Sequence, residues 1–196
     1  MDAEVELCGK DFIDRIRTLL SSRERRVIEH APFLRAAVLV PLFKKGEECH
    51  ILFTKRSEQV KYHKGEISFP GGGVDAEDSK LEETALRETA EEIGLKGRDV
   101  QILGVLDDVV TISQYIVTPF VGFFPYPYPF KLSPVEIAEL IEVPLSFLLK
   151  RDCFSEREIF RGGQNEIVYA YQHGEHVIWG ATARILKQFL DLLATS

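Results

Sequence analysis

The chain has 196 residues, 45% of them hydrophobic, and 31 acidic against 24 basic side chains give a formal net charge of −7. That length suits one domain with a full core, and the apolar share excludes wholesale disorder. The acidic balance argues against a nucleic-acid coat or a basic membrane-surface protein, although a local basic patch can still bind anions.

No apolar run approaches the roughly 18–20 residues of a bilayer span. The start of the chain, with Asp2, Glu4 and Glu6, lacks the basic-then-apolar layout of a signal peptide, so a cytoplasmic, non-membrane protein is expected. Cys8, Cys49 and Cys153 are far apart with no CxxC pair, which indicates neither a disulfide framework nor a zinc knuckle. His173 and His176 flank Gly174-Glu175 and read as a polar turn rather than a metal site.

In chain order, Asp11 to Arg26 predicts a helix, because Phe12, Ile13, Ile16, Leu19 and Leu20 form one apolar stripe. Ala36–Phe43 and His50–Thr54 read as a β-hairpin around a charged, glycine-containing loop. A short strand at Ile67–Phe69 runs into Pro70-Gly71-Gly72-Gly73. A helix follows over Ser79–Ile93, with Ser79 and Glu82 spaced as a capping box and Gly94 as the stop. Strands are predicted at Val100–Leu106, Ile116–Phe124 and Val135–Val143, with a stiff Pro125–Pro129 connection between the last two and a short helix over Pro144–Lys150. Ile167–Tyr171 and His176–Ile178 suggest a late hairpin, and Ala181–Leu193 an amphipathic closing helix; Trp179, ahead of it, reads as a core anchor rather than a base-stacking platform. The fold class is α/β, a mixed sheet with helices on its faces. Residues 1–33 read as an N-terminal helical extension and 34–196 as the main domain.

The chemistry is concentrated in the central helix. At about 100° per residue, Glu88, Glu91 and Glu92 share one face, with Leu86, Ala90 and Ile93 opposite. Like charges at these spacings repel, and a hard cation between them reverses the penalty, which favours Mg²⁺ with Mn²⁺ as a substitute. Directly upstream, the triglycine Gly71-Gly72-Gly73 permits close backbone approach to a ligand and can present N–H groups to phosphate oxygens. Lys55, Arg56, Lys61 and Lys64 stand against Glu58 alone, whereas Glu77–Glu92 carries seven acids against Lys80 and Arg87. A basic island ahead of an acidic metal face suits a polyanionic small molecule.

These residues resemble the Nudix hydrolases, whose box ends Arg-Glu, apolar, x, Glu-Glu, x, Gly, apolar. Arg87-Glu88, Glu91-Glu92 and Gly94-Leu95 match that half, with Thr89 at the apolar position. The first half departs: counted from Gly73 the spacing to Arg87 is right, but Ser79 stands where a glutamate belongs. Either Asp78 serves near that position or the contact is absent. Upstream, Leu52-Phe53-Thr54-Lys55-Arg56-Ser57, then Lys61, Gly65 and Phe69-Pro70-Gly71-Gly72, is similar to the signature of the coenzyme A pyrophosphatase branch, as is Ile178–Arg184.

The resemblance implies a Nudix-type α/β/α sandwich acting on a nucleoside diphosphate linked to another group. For that branch the substrate is coenzyme A or an acyl-CoA, cleaved to 3′-phosphoadenosine 5′-phosphate and 4′-phosphopantetheine. It implies Glu88, Glu91 and Glu92 as metal ligands, Arg87 as the residue orienting them, and Glu91 or Glu136 as general base. Arg56, Lys61 and Lys64, with Gly71, Gly72 and Gly73, are the expected substrate contacts. Arg56 has the competing reading of a salt bridge with Glu58 or Glu66, and Tyr126, Tyr128 and Phe130 either stack on adenine or merely connect. A related enzyme acting on ADP-ribose, NADH or a nucleoside triphosphate is the nearest alternative, and a non-hydrolytic nucleotide sensor a more distant one. A homodimer through the N-terminal helix is compatible with the pattern.

Overall fold

The structure is a computed structural model and describes residues 8–29, 32–161 and 164–194. Helix α1 (Lys10–Ser21) buries Phe12, Ile13, Ile16 and Leu20, the stripe the spacing predicts, but ends well before Arg26. The following chain is extended, and this lets Arg23 pair with Asp107 at 2.5 Å and Arg25 reach the fully buried Asp108. A continued helix would hold those guanidiniums on its own cylinder.

Strands β1 (Leu34–Lys45) and β2 (Glu48–Arg56) form the expected hairpin, in register from Leu42↔Ile51 to Lys45↔Glu48. The almost continuous apolar run of β1 fits a strand buried on both faces. β3 (Ile67–Ser68) pairs with β2, and the triglycine forms β4 (Gly71–Gly73), antiparallel to β1. Helix α2 (Leu81–Ile93) follows, stopped by Gly94 in the left-handed conformation (φ 74°).

Next come β5 (Gln101–Val105), β6 (Val109–Val110), β7 (Tyr115–Phe123), β8 (Ile137–Pro144) and the short helix α3 (Leu145–Leu148). β7 lies parallel to β1 from Leu34↔Tyr115 to Leu42↔Phe123, so the sheet is mixed, with the order β3-β2-β1-β7-β5 and β8 on β2. A second, antiparallel sheet contains β9 (Phe154–Arg161), β10 (Gln164–His173) and β11 (His176–Trp179), and leads into α4 (Gly180–Ala194).

Two cores flank the main sheet. One joins α1 and α4 to residues such as Val40, Leu42 and Phe53; the other joins Ile93 and Leu95, at the end of α2, to Leu39, Phe43, Leu52 and Phe124. The result is an α/β/α sandwich, as the fold class predicts. No helix among the described residues is long and apolar enough to cross a membrane.

Several expectations are corrected. Cys8 and Cys49 form a disulfide across 41 residues, tying the start of α1 to β2, and only the buried Cys153 is free among the described residues. No sequence rule links two cysteines so far apart. The capping box is absent: Lys80 is the N-cap, and Ser79 instead donates from both its N–H and Oγ to Glu83. Tyr126, Tyr128 and Phe130 pack around Phe43 and Phe124 in the second core rather than standing free for a base. Trp179 is no core anchor; it is 43% exposed, and Ile178 beside it fills the interior position. β6 is apolar but only two residues long and β9 is charge-rich, so neither carries the extended apolar pattern that marks the other strands.

Candidate active site

The central helix α2 is amphipathic with a twist: its buried positions are Thr84, Ala85, Thr89, Glu92 and Ile93, not Leu86 and Ala90. Part of the acidic face therefore turns inward. Glu92 is 5% exposed, accepts the Gly71 N–H at 3.2 Å, and faces the Arg56 Nη1 at 3.8 Å. Arg56 thus pairs across the fold with Glu92 rather than with Glu58 or Glu66. Its buried Nε has no hydrogen-bond partner.

Burial pushes the Glu92 carboxyl up to about 8, with the charges of Glu88 and Glu136 adding to the effect and Gly71 and Arg56 opposing it. Glu88 is likewise raised, first by burial and then by Glu91 and Glu136, against the pull of Arg87. Glu136, just ahead of β8, is held by its own carbonyl accepting the Ser57 N–H at 2.8 Å. The fold thus gathers Glu88, Glu92 and Glu136 closely enough that the charge of Glu136 disfavours ionisation of Glu88 and Glu92, while Glu91 sits further out, its side chain 58% exposed.

Arg87 organises this cluster. Its Nε and Nη2 donate to both oxygens of Asp78 at 3.0 and 2.9 Å, and Nη1 donates to Glu88 at 2.8 Å and Glu91 at 3.4 Å. Nη2 also donates to the Gly73 carbonyl. Asp78 further accepts from Thr84 Oγ1 and from the Asp75 N–H, and the Arg87 hydrogen bonds hold its carboxyl well below the usual carboxylate range. Of the two readings of the box's first half, the geometry selects Asp78 as the acidic partner, one residue before Ser79.

The triglycine is not the open loop the sequence suggests. It is a strand whose first N–H is already given to Glu92. Two of its glycines are required for approach: a Cβ on Gly72 would stand 2.5 Å from the Glu88 carboxylate, and one on Gly71 (φ 149°) would strike the Ala37 carbonyl. A Cβ on Gly73 would meet nothing within 4 Å.

Among the described residues no three acidic, histidine or cysteine side chains are closed into a ready-made cation cage. The donor set nevertheless fits one: hard carboxylate oxygens whose mutual repulsion a divalent ion would relieve.

Residues 33–130 match the NUDIX domain model. Over 178 residues the chain is 36% identical to a Photorhabdus laumondii protein described as "Uncharacterized Nudix hydrolase NudL", covering 91% of this chain and 94% of that one. An Enterobacter protein of the same description is 35% identical over 183 residues, covering 93% of each. The chain belongs to the Nudix hydrolase family. The crystal structure of a MutT/nudix family protein from Enterococcus faecalis shares the fold, with a TM-score of 0.54 over 97% of this chain and 76% of that chain at 13% identity.

As a Nudix hydrolase the protein cleaves pyrophosphate bonds in nucleoside diphosphate derivatives, and such enzymes generally work with a divalent metal such as Mg²⁺. In this Nudix hydrolase, the glycine strand and Arg56 line a cavity of about 1040 Å³. Trp179 lines it too, as do residues the sequence did not single out as contacts: Ile112 near β6, Arg157 on β9, Val168 on β10 and Arg184 at the start of α4. Lys61 and Lys64 are exposed and lie outside the cavity lining, Lys61 resting over the Tyr62 ring at 5.0 Å. Of those cavity residues, Trp179 and Arg184 fall within the Ile178–Arg184 stretch that resembles the coenzyme A pyrophosphatase branch, whereas Ile112, Arg157 and Val168 carry no such signal.

Proposed function

We propose that this Nudix hydrolase acts on coenzyme A or its acyl esters, releasing 3′-phosphoadenosine 5′-phosphate and 4′-phosphopantetheine. The observation carrying this reading is the way the run from Leu52 to Gly72 folds. β2 delivers Arg56, and β4 delivers the triglycine, to positions beside the carboxylates of α2, and both line a cavity of about 1040 Å³. That volume is at the upper end of small-molecule sites, which run to roughly 1,000 Å³, and suits a substrate with two long arms.

Glu88, Glu91 and Glu92 would hold Mg²⁺, or Mn²⁺ in its place, which supplies charge neutralisation at the diphosphate and a more acidic water. The chain's own groups do the rest. Arg87, fixed by Asp78, sets the carboxylates of Glu88 and Glu91. Arg56, with its unpartnered Nε, donates to a phosphate oxygen. Glu136, exposed and adjacent to Glu88 and Glu92, accepts the proton of the attacking water, with Glu91 the other group placed to do so. Nothing need form covalently on the protein, because phosphoryl transfer is chiefly a matter of positioning and charge.

The test is incubation with Mg²⁺ and a panel of coenzyme A, ADP-ribose, NADH and dGTP, with products identified by mass. Adenosine 3′,5′-bisphosphate from coenzyme A is the expected result. Turnover of ADP-ribose, NADH or dGTP with coenzyme A left intact overturns the assignment, and saturable binding without any turnover indicates a sensor.

A further inference from the structure

The second sheet turns two different faces outward. Phe154, Tyr169 and Tyr171 point towards α4, where Lys187 lies over the rings of Phe154 and Tyr169. The alternate residues Ser155, Arg157, Ala170, Val177 and Trp179 line the large cavity. The register places Trp179 beside Ala170, and Ala170 beside Ser155, so the indole stands in a row with two small side chains. That leaves an uncovered shelf next to the ring, which explains how a tryptophan on a cavity wall remains 43% exposed.

Two residues along β10, Val168 faces Arg157. Arg157 therefore lies about 7 Å along and about 10 Å across from Trp179, by ordinary strand spacings. Among the described residues Arg157 has no carboxylate partner, and Arg184, on the same wall, is fixed by donating to the Val110 carbonyl at 3.2 Å. Ile112 and Ile167, 70% and 47% exposed, border the same space. A flat aromatic shelf, aliphatic side chains near it and an unpaired guanidinium within a side chain's reach match a purine base carrying a remote phosphate better than a purely aliphatic chain, which has no use for the cation.

We infer that Trp179 is the stacking platform for the adenine of the substrate and that Arg157 binds the phosphate on its ribose. The stacking half is independent of the coenzyme A reading, whereas the phosphate half rests on it. It also moves recognition of that phosphate away from Lys61 and Lys64.

Because Trp179 is the only tryptophan in the chain, its fluorescence reports this wall directly. The full-length protein, without divalent metal, is titrated with adenosine 3′,5′-bisphosphate, AMP and 4′-phosphopantetheine. Saturable quenching by both nucleotides is expected, with the bisphosphate binding more tightly. Arg157→Ala should weaken the bisphosphate about tenfold or more while leaving AMP nearly unchanged, as loss of a charge-assisted hydrogen bond implies. Trp179→Leu should raise KM about tenfold, the loss falling on KM rather than kcat, and Trp179→Phe should restore most of it.

Absence of quenching by either nucleotide overturns the inference, as does a response to 4′-phosphopantetheine alone. Equal affinity for AMP and the bisphosphate, unchanged by Arg157→Ala, removes Arg157 from the phosphate. Failure of the coenzyme A reading itself appears elsewhere, in the product panel, and leaves quenching by AMP in place.

Discussion

The three consecutive glycines of β4 offer a graded steric experiment, because a methyl group added at each meets something different. At Gly72 the new Cβ would lie 2.5 Å from the Glu88 carboxylate, whereas ordinary carbon contacts need about 3.5 Å. Glu88 or the strand must therefore yield by about 1 Å. Glu88 is not free to swing, since Arg87 holds it at 2.8 Å and is itself clamped on Asp78. A displacement of that size at a reacting centre costs on the order of a hundredfold in rate. Gly72 has no positive φ, so its backbone accepts alanine without strain. Gly72→Ala should therefore lose about a hundredfold in kcat/KM, with thermal stability falling only slightly. Gly73→Ala, facing open space, should behave as wild type in both respects. Gly71→Ala, with its positive φ and the Ala37 carbonyl in its path, should lose folded protein itself. The assay is hydrolysis of the best panel substrate at saturating Mg²⁺, paired with a melting curve for each variant. Full activity in Gly72→Ala would refute the placement of Glu88 against this strand and with it the proposed carboxylate cluster.

Glu92→Gln should lower kcat by about a hundredfold, since removing one well-placed electrostatic group has that effect, and wild-type turnover at saturating Mg²⁺ would count against Glu92 as a ligand. Asp108 accepts hydrogen bonds from Ile28 N–H and Thr118 Oγ1 and pairs with Arg25; burial opposes ionisation, but these partners outweigh it and lower its pKa. Its folded value lies below its unfolded one, so its contribution is present above about pH 4 and fades as pH falls through the folded value. Asp108→Asn should cost about 3–5 kcal/mol at neutral pH by leaving the guanidiniums of Arg25 and Arg35 without their shared carboxylate, and the gap from wild type in denaturant melts should narrow in acid. Reducing the Cys8–Cys49 disulfide, which closes a 41-residue separation, should lower stability by up to about 4 kcal/mol on the loop-entropy scale; melts with and without reductant measure it.

The parts of the fold that were readable were those with a repeating local pattern. The stripe of α1, the hairpin of β1 and β2, the Gly94 stop and the amphipathic α4 all declare themselves within a dozen neighbouring residues. What stayed hidden depends on distant partners. A helical wheel alone puts Glu92 on a solvated face; only the arrival of Gly71 and Arg56 from other strands buries it. Three glycines have no side-chain periodicity, so their pairing with Ala36, Ala37 and Val38 leaves no trace in the pattern. Trp179 misled because a large aromatic beside a helix start usually goes inside, and here Ile178 takes that place on the opposite face of β11. In the site, the Arg87–Glu92 cluster was legible from its spacing, while Asp78 needed the turn geometry to distinguish it from Ser79, and Arg157 lies in a strand whose charges look like solvated surface.

The acidic cluster sits mainly on one short helix, whereas part of the cavity wall comes from β9, β10, β11 and the start of α4, well downstream of residues 33–130. On the proposed reading, the glutamates that serve the hydrolysis and part of the wall that selects the molecule are therefore written in separate lengths of polypeptide. Sequence drift in the tail would then retune what enters while the glutamates of α2 stay untouched, and a fragment ending near residue 130 would keep those glutamates yet lack that part of the wall.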